Sequence, residues 1–312
     1  VSLARARPQS NRGSPVYQAN AAAMRFYQEA LGSERGGLAR AYLAQRGVAA
    51  GSVQRFGLGY SPGTGDELLR HLMAAGFDRS LLVEAGLVMS AGERDLFRGR
   101  LMFPIREPGG DVVGFGARTL DGSEPKYLNT PATRAFDKGR TLYALDLAQE
   151  AGRREGEAVV VEGYMDAIAA HEHGYANVVA SMGTALTDAQ VMALRGLAKR
   201  FVLALDPDAA GQEASLRSLE GAWRVLEQAE APGRGAGLYQ RPEELVGLRI
   251  ALLPAGQDPD VLIRRDSEAW RRVTREAVPV VEYLLGALVR RFDLGTDRGK
   301  AQAAARLFPL IA

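Results

Sequence analysis

Three acidic clusters each follow an apolar run: VVVEGYMD from Val159 to Asp166, LALDPDAAG from Leu203 to Gly211, and LLPAGQDPD from Leu252 to Asp260. Read as strands, these runs place carboxylates where strands end. In an open α/β sheet, ligands bind in the crevice beyond the carboxyl ends of the strands, so three such clusters on neighbouring strands would converge on one pocket. Glu162, Asp206, Asp208, Asp258 and Asp260 would then crowd several negative charges together. Like charges a few ångströms apart do not all stay ionised near neutral pH unless a cation offsets them. A site for one or two Mg²⁺ or Mn²⁺ ions follows, since these hard cations take oxygen ligands and commonly carry substrate phosphates in their remaining positions. The chemistry this implies is phosphoryl transfer.

The prolines sharpen that reading. A residue before proline is pushed out of the helical region, so Asp206 and Asp258 should be extended, with Pro207 and Pro259 stiffening each turn. Extended backbone puts Asp206 and Asp208 on one side. Singly, Asp208 and Asp260 would also serve as helix caps. Capping does not explain a strand-end glutamate together with two Asp-Pro-Asp turns. Asp166 falls inside the first turn of its helix, where favouring the helix dipole is the leading reading and metal ligation the alternative.

The elements that must position these groups are those of an α/β unit. From Glu157 the pattern runs strand, helix, strand, helix, strand, helix, strand: EAVVVE, MDAIAAHEH, NVVAS, TDAQVMALRG, RFVLAL, a long helix from Ala209, then LRIALL. Thr187 is an expected N-cap, and Gly174 and Gly196 are expected stops. The glycine-rich stretch between Pro232 and Leu248 reads as a surface insertion. From Glu268 the spacing is helical, with Val278, Val280, Leu284 and Leu285 apolar, and predicts the opening of a helical bundle.

Upstream, VSLARARPQSNRGSP has the composition of a linker, and the segment from Asn20 has helical spacing, with Phe26, Tyr27, Leu31, Leu38, Tyr42 and Leu43 as core candidates. A break at Gly36 and Gly37 would divide it into two helices. Short helices follow over Asp66 to Ala75 and Ser80 to Ala85. LMFPIREPGGDVVGFGART then predicts a hairpin around Pro-Gly-Gly. The division expected is a linker over 1–18, a basic α+β subdomain over 19–152, a doubly wound α/β domain over 153–267 and an incomplete helical segment over 268–312.

With 312 residues, 46% apolar and 24% charged, the chain is globular material, long enough for two or three compact units. No apolar run approaches the roughly 18 residues needed to cross a bilayer, and no signal-peptide pattern opens the chain, so a cytoplasmic location is the default expectation. The absence of cysteine excludes disulfides and thiolate zinc sites. His171 and His173 read as a solvated helix end. A net charge of +2 argues neither for nor against nucleic acid, so clustering must decide. Val1 is not an initiator methionine, and the chain stops within an apolar, helix-like pattern; it is expected to be part of a larger protein.

Cations do cluster beside aromatics in the first half: RFGLGYSP, FRGRLMFPI, GFGARTL, KYLNTP and FDKGRTLYAL. Arg and Lys can neutralise phosphates, and aromatic faces can stack on unpaired bases. The plain alternative is solvated surface charge, with Phe97, Phe103 and Tyr127 in the core. Arg98 and Arg100 alternate, which in extended backbone would place both on one face.

At its acidic residues the chain resembles the Toprim domain shared by bacterial primases, topoisomerases and some nucleases, over about Glu157 to Arg265. The string VEGYMDAIAAHEHGYANVVASMGTALT resembles the DnaG-type primases more closely than the others, and the basic segments resemble the N-terminal part of the primase RNA polymerase domain. The similarity therefore extends over most of Arg25 to Arg290. The family pattern suggests Asp-Gly-Asp where this chain has Asp206, Pro207 and Asp208, which keeps both carboxylates and stiffens the turn.

The resemblance implies synthesis of short RNA primers on single-stranded DNA from ribonucleoside triphosphates at replication forks. Glu162, Asp206 and Asp208 would be catalytic and, with Asp258 and Asp260, would hold Mg²⁺ or Mn²⁺; Glu162 is either ligand or proton carrier. Arg55, Arg98, Arg100, Arg118, Lys126 and Lys138 would bind template or nucleotide, and Asn129 would hold a nucleotide or cap its turn. An N-terminal zinc-binding domain and a C-terminal domain contacting the replicative helicase are implied for the whole protein and expected to be absent here. Two alternatives stay open: a non-catalytic DNA-binding module on a Toprim scaffold, and a metal-dependent Toprim nuclease.

Overall fold

Apolar residues at helical spacing turn one face of the first long helix inward. Helix α1 (Pro15–Gly32) carries Pro15 at its first turn, and Val16, Ala19, Ala23 and Tyr27 lie on its buried face. The computed structural model describes residues 13–90, 93–183, 186–205, 219, 221–222, 225, 247–254, 256–292 and 295–311. Helix α1 thus begins inside the stretch expected to be linker, because proline at the first helical position needs no N–H partner. Two compact units divide the chain at Asp146 and Leu147.

In the first unit, a 3₁₀ turn (Glu34–Gly36) follows α1, and then come α2 (Gly37–Gln45), α3 (Ala50–Phe56), β1 (Gly59–Ser61), α4 (Glu67–Ala74) and α5 (Arg79–Glu84). The break between α1 and α2 falls at Ser33, slightly ahead of the two glycines. Strands β2 (Arg100–Arg106), β3 (Val112–Thr119) and β4 (Tyr127–Asn129) complete an antiparallel sheet of order β1-β2-β3-β4. The hairpin predicted around Pro-Gly-Gly is the β2-β3 pair. Met102, Phe115 and Ala117 face α1, α4 and α5 in one apolar cluster with Leu68, Leu72 and Leu82. The Tyr27 and Phe115 rings meet edge to face at 5.4 Å. A Cβ on Gly59 would lie 2.5 Å from Tyr27 Cβ, so the close approach of α1 to β1 requires glycine there. Helix α4 is capped from a distance: Asp95, 1% exposed, accepts the Leu68 and Leu69 backbone N–H groups at 3.0 and 2.9 Å.

In the second unit, α6 (Leu145–Glu155) enters and leads to β5 (Glu157–Val161), α7 (Tyr164–Glu172), β6 (Val178–Ala180), α8 (Asp188–Arg195), β7 (Arg200–Leu205) and β8 (Gly247–Leu252). Helices α9 (Pro259–Arg265) and α10 (Ser267–Arg275), strand β9 (Val278–Pro279), and helices α11 (Val280–Arg291) and α12 (Asp297–Ile311) follow. The sheet order is β6-β5-β7-β8-β9, parallel except for β9. After β5 the chain adds β6 on one side and then crosses back to add β7 on the other, which places the topological switch point at the carboxyl ends of β5 and β7.

Thr187 caps α8 as expected, its side chain accepting from Gln190 N while Gln190 returns a bond to the Thr187 N–H. Two expectations are corrected. Val278 lies in a strand rather than a helix, because its backbone pairs with Ile250 on the open edge of β8. His171 is 4% exposed rather than solvated, its Nε2 bonded to the Val178 carbonyl at 2.8 Å. The helix expected from Ala209 and the insertion up to Val246 lie outside the described residues, apart from isolated positions.

Candidate active site and nucleic-acid interface

Strand β5 ends at Val161, and Glu162 follows it directly, exposed at the switch point. The adjacent turn delivers the chain into α7, whose first turn carries Asp166. Its Oδ2 accepts the Gly163 N–H at 3.0 Å and its Oδ1 accepts the Asp260 N–H at 3.1 Å. That second bond joins the start of α7 to the start of α9. Asp258 is the N-cap of α9, in extended backbone (φ −71°, ψ 155°) as its following proline demands, and its side chain makes no capping bond. It is exposed. Asp260, 3% exposed, sits in the first turn of α9 and accepts from Arg264 Nη2 at 3.4 Å.

Asp166, Asp258 and Asp260 are therefore brought together. Burial first, then the Asp260 charge, push the Asp166 carboxyl up from its ordinary value to about 7; the Asp260 and Gly163 N–H groups pull the other way, and Asp258 adds to the rise. The helix-dipole reading of Asp166 is thus incomplete, since its carboxylate ties two helix starts into one acidic edge. Asp206 and Asp208 lie outside the described residues.

The donor set fits a hard divalent cation. The candidates offer only carboxylate oxygens, while His171 and His173 are engaged with the Val178 and Ala169 carbonyls. Among the described residues, no group of three or more His, Asp or Glu side chains closes a metal cage by itself.

In the first unit, the sheet register sorts the expected basic residues. Leu101 pairs with Arg118, Arg118 with Tyr127, and Gly116 with Asn129, so Arg118, Tyr127 and Asn129 share a face. Arg100 pairs with Thr119 and projects from the opposite face. It is 8% exposed and donates to the Pro125 carbonyl at 2.8 Å, which anchors the loop before β4. Arg98 precedes the strand, exposed, and donates to the Asp95 carbonyl at 2.9 Å. The expectation that Arg98 and Arg100 share a face fails because Gly99 takes φ +62°, which breaks the extended alternation.

Arg55 closes the last turn of α3, exposed, donating to Ser52 Oγ at 3.0 Å. Lys126 is exposed beside Tyr127, and half-buried Lys138 has its ammonium pKa lowered by burial. Phe97 and Phe103 are fully buried, so for these two the core reading holds. Sequence reasoning missed a feature centred on Arg118. Its guanidinium carbon lies 4.9 Å from the Tyr42 ring centroid and 5.2 Å from that of Tyr127, and its Nη1 donates to the Tyr127 hydroxyl at 2.7 Å. Arg46 lies 5.4 Å from the Tyr42 ring. The cation–aromatic segments flagged Arg118 and Tyr127, whereas for Tyr42 the sequence signal was its i, i+4 spacing from Arg46.

The family described as the DNA primase catalytic core, N-terminal domain, matches residues 26–149, and the Toprim domain matches residues 156–231. A DNA primase of Pseudomonas aeruginosa is 37% identical over 311 residues, covering 97% of this chain and 44% of that protein. The chain belongs to the DnaG-type bacterial DNA primase family.

A primase of Escherichia coli is 36% identical over 291 residues, covering 92% of this chain and 47% of that protein. The chain thus spans about half the length of the curated primases it matches. Among solved structures, the E. coli primase catalytic core is similar with a TM-score of 0.82 at 35% identity, covering 95% of this chain and 91% of that one. A DnaG primase catalytic domain bound to ssDNA is similar with a TM-score of 0.81 at 34% identity, covering 95% and 92%. The DnaB-helicase binding domain of primase also matches residues 281–312. Among the described residues no helix is long and apolar enough to cross a membrane.

Proposed function

We propose that this chain is the RNA-polymerising core of a bacterial primase, which copies single-stranded DNA into short RNA primers from ribonucleoside triphosphates. The observation that carries the reading is the acidic edge at the switch point of a Toprim sheet, where Asp166, Asp258 and Asp260 gather and Glu162 follows β5. Glu162, Asp258 and Asp260, with Asp206 and Asp208, which follow β7 in the sequence, would hold one or two Mg²⁺ or Mn²⁺ ions. Bound there, such a cation stabilises charge on the transferring phosphoryl group and its leaving pyrophosphate. Glu162, exposed, would alternatively accept a proton from an attacking 3′-hydroxyl.

Asp166 orients rather than ligates, fixing the turn after Glu162 against the start of α9. In the first unit, Arg55, Arg98, Arg118, Lys126 and Lys138 would bind template or nucleotide phosphates, with Asn129 beside them. Arg100 would act indirectly, through its bond to the Pro125 carbonyl beside Lys126. Residues 281–312 would contact the replicative helicase. The chain would work at replication forks in the cytoplasm, and zinc would belong to a separate N-terminal domain.

The test is incorporation of labelled ribonucleotides on a single-stranded DNA template annealed to a short RNA, with Mg²⁺ or Mn²⁺. Extension by the parent is expected, falling by at least about 100-fold in Glu162→Gln and Asp206→Asn, the scale of losing a general base or an electrostatic stabiliser. Template binding without extension in all three proteins would replace the reading with a binding module, and shortening of the labelled strand with a nuclease.

A further inference from the structure

Arg118 reaches its position with help from a part of the chain far from its own hairpin. The Tyr42 ring comes from α2, whereas Arg118 and Tyr127 are paired across β3 and β4. Helix α2 fills its core with Ala39 and Leu43, 0% and 2% exposed, and Tyr42 is not among those core residues; it stays half-buried with its ring against the guanidinium. Arg118 is itself half-buried, its guanidinium held between two rings and bonded to the Tyr127 hydroxyl.

We propose that Tyr42 is a positioning residue that, together with Tyr127, clamps the Arg118 guanidinium so that it meets a nucleic-acid phosphate already ordered. The inference rests on the reading of Arg118 as a phosphate-binding group. An arginine ordered before encounter loses less rotamer freedom on binding, and affinity rises without any new contact. A guanidinium over an aromatic face is also held by the ring quadrupole, which a planar fork uses better than an ammonium does. Arg46, against the same Tyr42 ring, steadies it from the end of α2.

A double-mutant cycle tests the inference, reading the Kd of a fluorescent single-stranded DNA oligomer at fixed low salt by anisotropy. Tyr42→Leu is expected to weaken binding about 2- to 5-fold, the scale of one cation–π contact. Tyr42→Phe, which keeps the ring face, should bind like the parent, and Tyr42→Leu should add nothing once Arg118→Ala is present. A Tyr42→Leu protein that binds like the parent overturns the inference, and so does a loss that adds fully to that of Arg118→Ala, because Tyr42 would then act independently of Arg118. Arg118→Lys keeps the charge without the planar face and supplies a second check should Tyr42→Leu fold poorly. It should bind more weakly than the parent, and parent-like binding means the clamp does not matter. If Arg118→Ala itself binds like the parent, the phosphate-binding reading of Arg118 falls and the clamp falls with it, an outcome distinct from the failure of the clamp alone.

Discussion

At the scale of single residues, the carboxylates divide by what surrounds them. Glu162 and Asp258 stand exposed at element ends, where their position could be read from an apolar run and a proline. Asp166 could be read as a helix-dipole residue or a metal ligand but not as a tie between two helices, because its decisive partner, the Asp260 N–H, lies 94 residues away. Asp95 had no legible role at all, although it caps α4 from another loop. Burial raises the pKa of the Asp95 carboxyl, with smaller contributions from Asp66 and Glu67, against the pull of the Leu69 and Leu68 N–H groups. The folded chain therefore holds this proton to higher pH than the unfolded chain, whose value is about 3.9. Between those two values the folded state binds more protons, so its stability falls as pH rises from about 4 and levels off above the folded value. Asp95→Asn should lack that fall. Urea midpoints measured across this window for both proteins decide it, and parallel profiles would count against the assignment.

At the scale of elements, most of the order was readable and the faces were not. The Thr187 cap, the Pro-Gly-Gly hairpin and the strand-helix alternation from Glu157 to Leu205 follow from local chemistry, and the structure keeps them. Alternation says that Arg98 and Arg100 share a face only if the backbone stays extended, and Gly99 removes that condition. Val278 looked helical because its neighbours are helical; pairing with the open edge of β8 outweighed that local preference. The approach of α1 to β1 gives a direct test. Gly59→Ala would drive a Cβ to 2.5 Å from Tyr27 Cβ, and the first unit should lose about 1 to 3 kcal/mol in urea unfolding, the usual cost of overpacking. An unchanged midpoint would mean that α1 shifts freely.

For the whole molecule, a net charge of +2 supplies little general attraction to nucleic acid, so the proposed binding would rest on placed groups such as Arg118 and Lys126. A chain spanning about half the length of its curated relatives should extend an annealed primer while starting new primers more slowly than a full-length family member on the same template. The yields of extended and newly initiated products, measured side by side, test this. Equal initiation would show that the expected zinc-binding domain is dispensable for starting.

The sequence by itself determined the chemistry on offer: oxygen donors without thiolates, strand ends that carry acids, cations set among aromatics, and membership of a family whose motifs run along most of the chain. These properties are local, fixed by residue type and short spacing. Only the tertiary structure decided which of these groups meet. It tied Asp166 to Asp260, put Arg100 and Arg118 on opposite faces of their sheet, and set Tyr42 against Arg118. Each of these depends on pairing or packing between segments distant in the chain, where a repeat of two or 3.6 residues specifies that a face exists but not what will cover it.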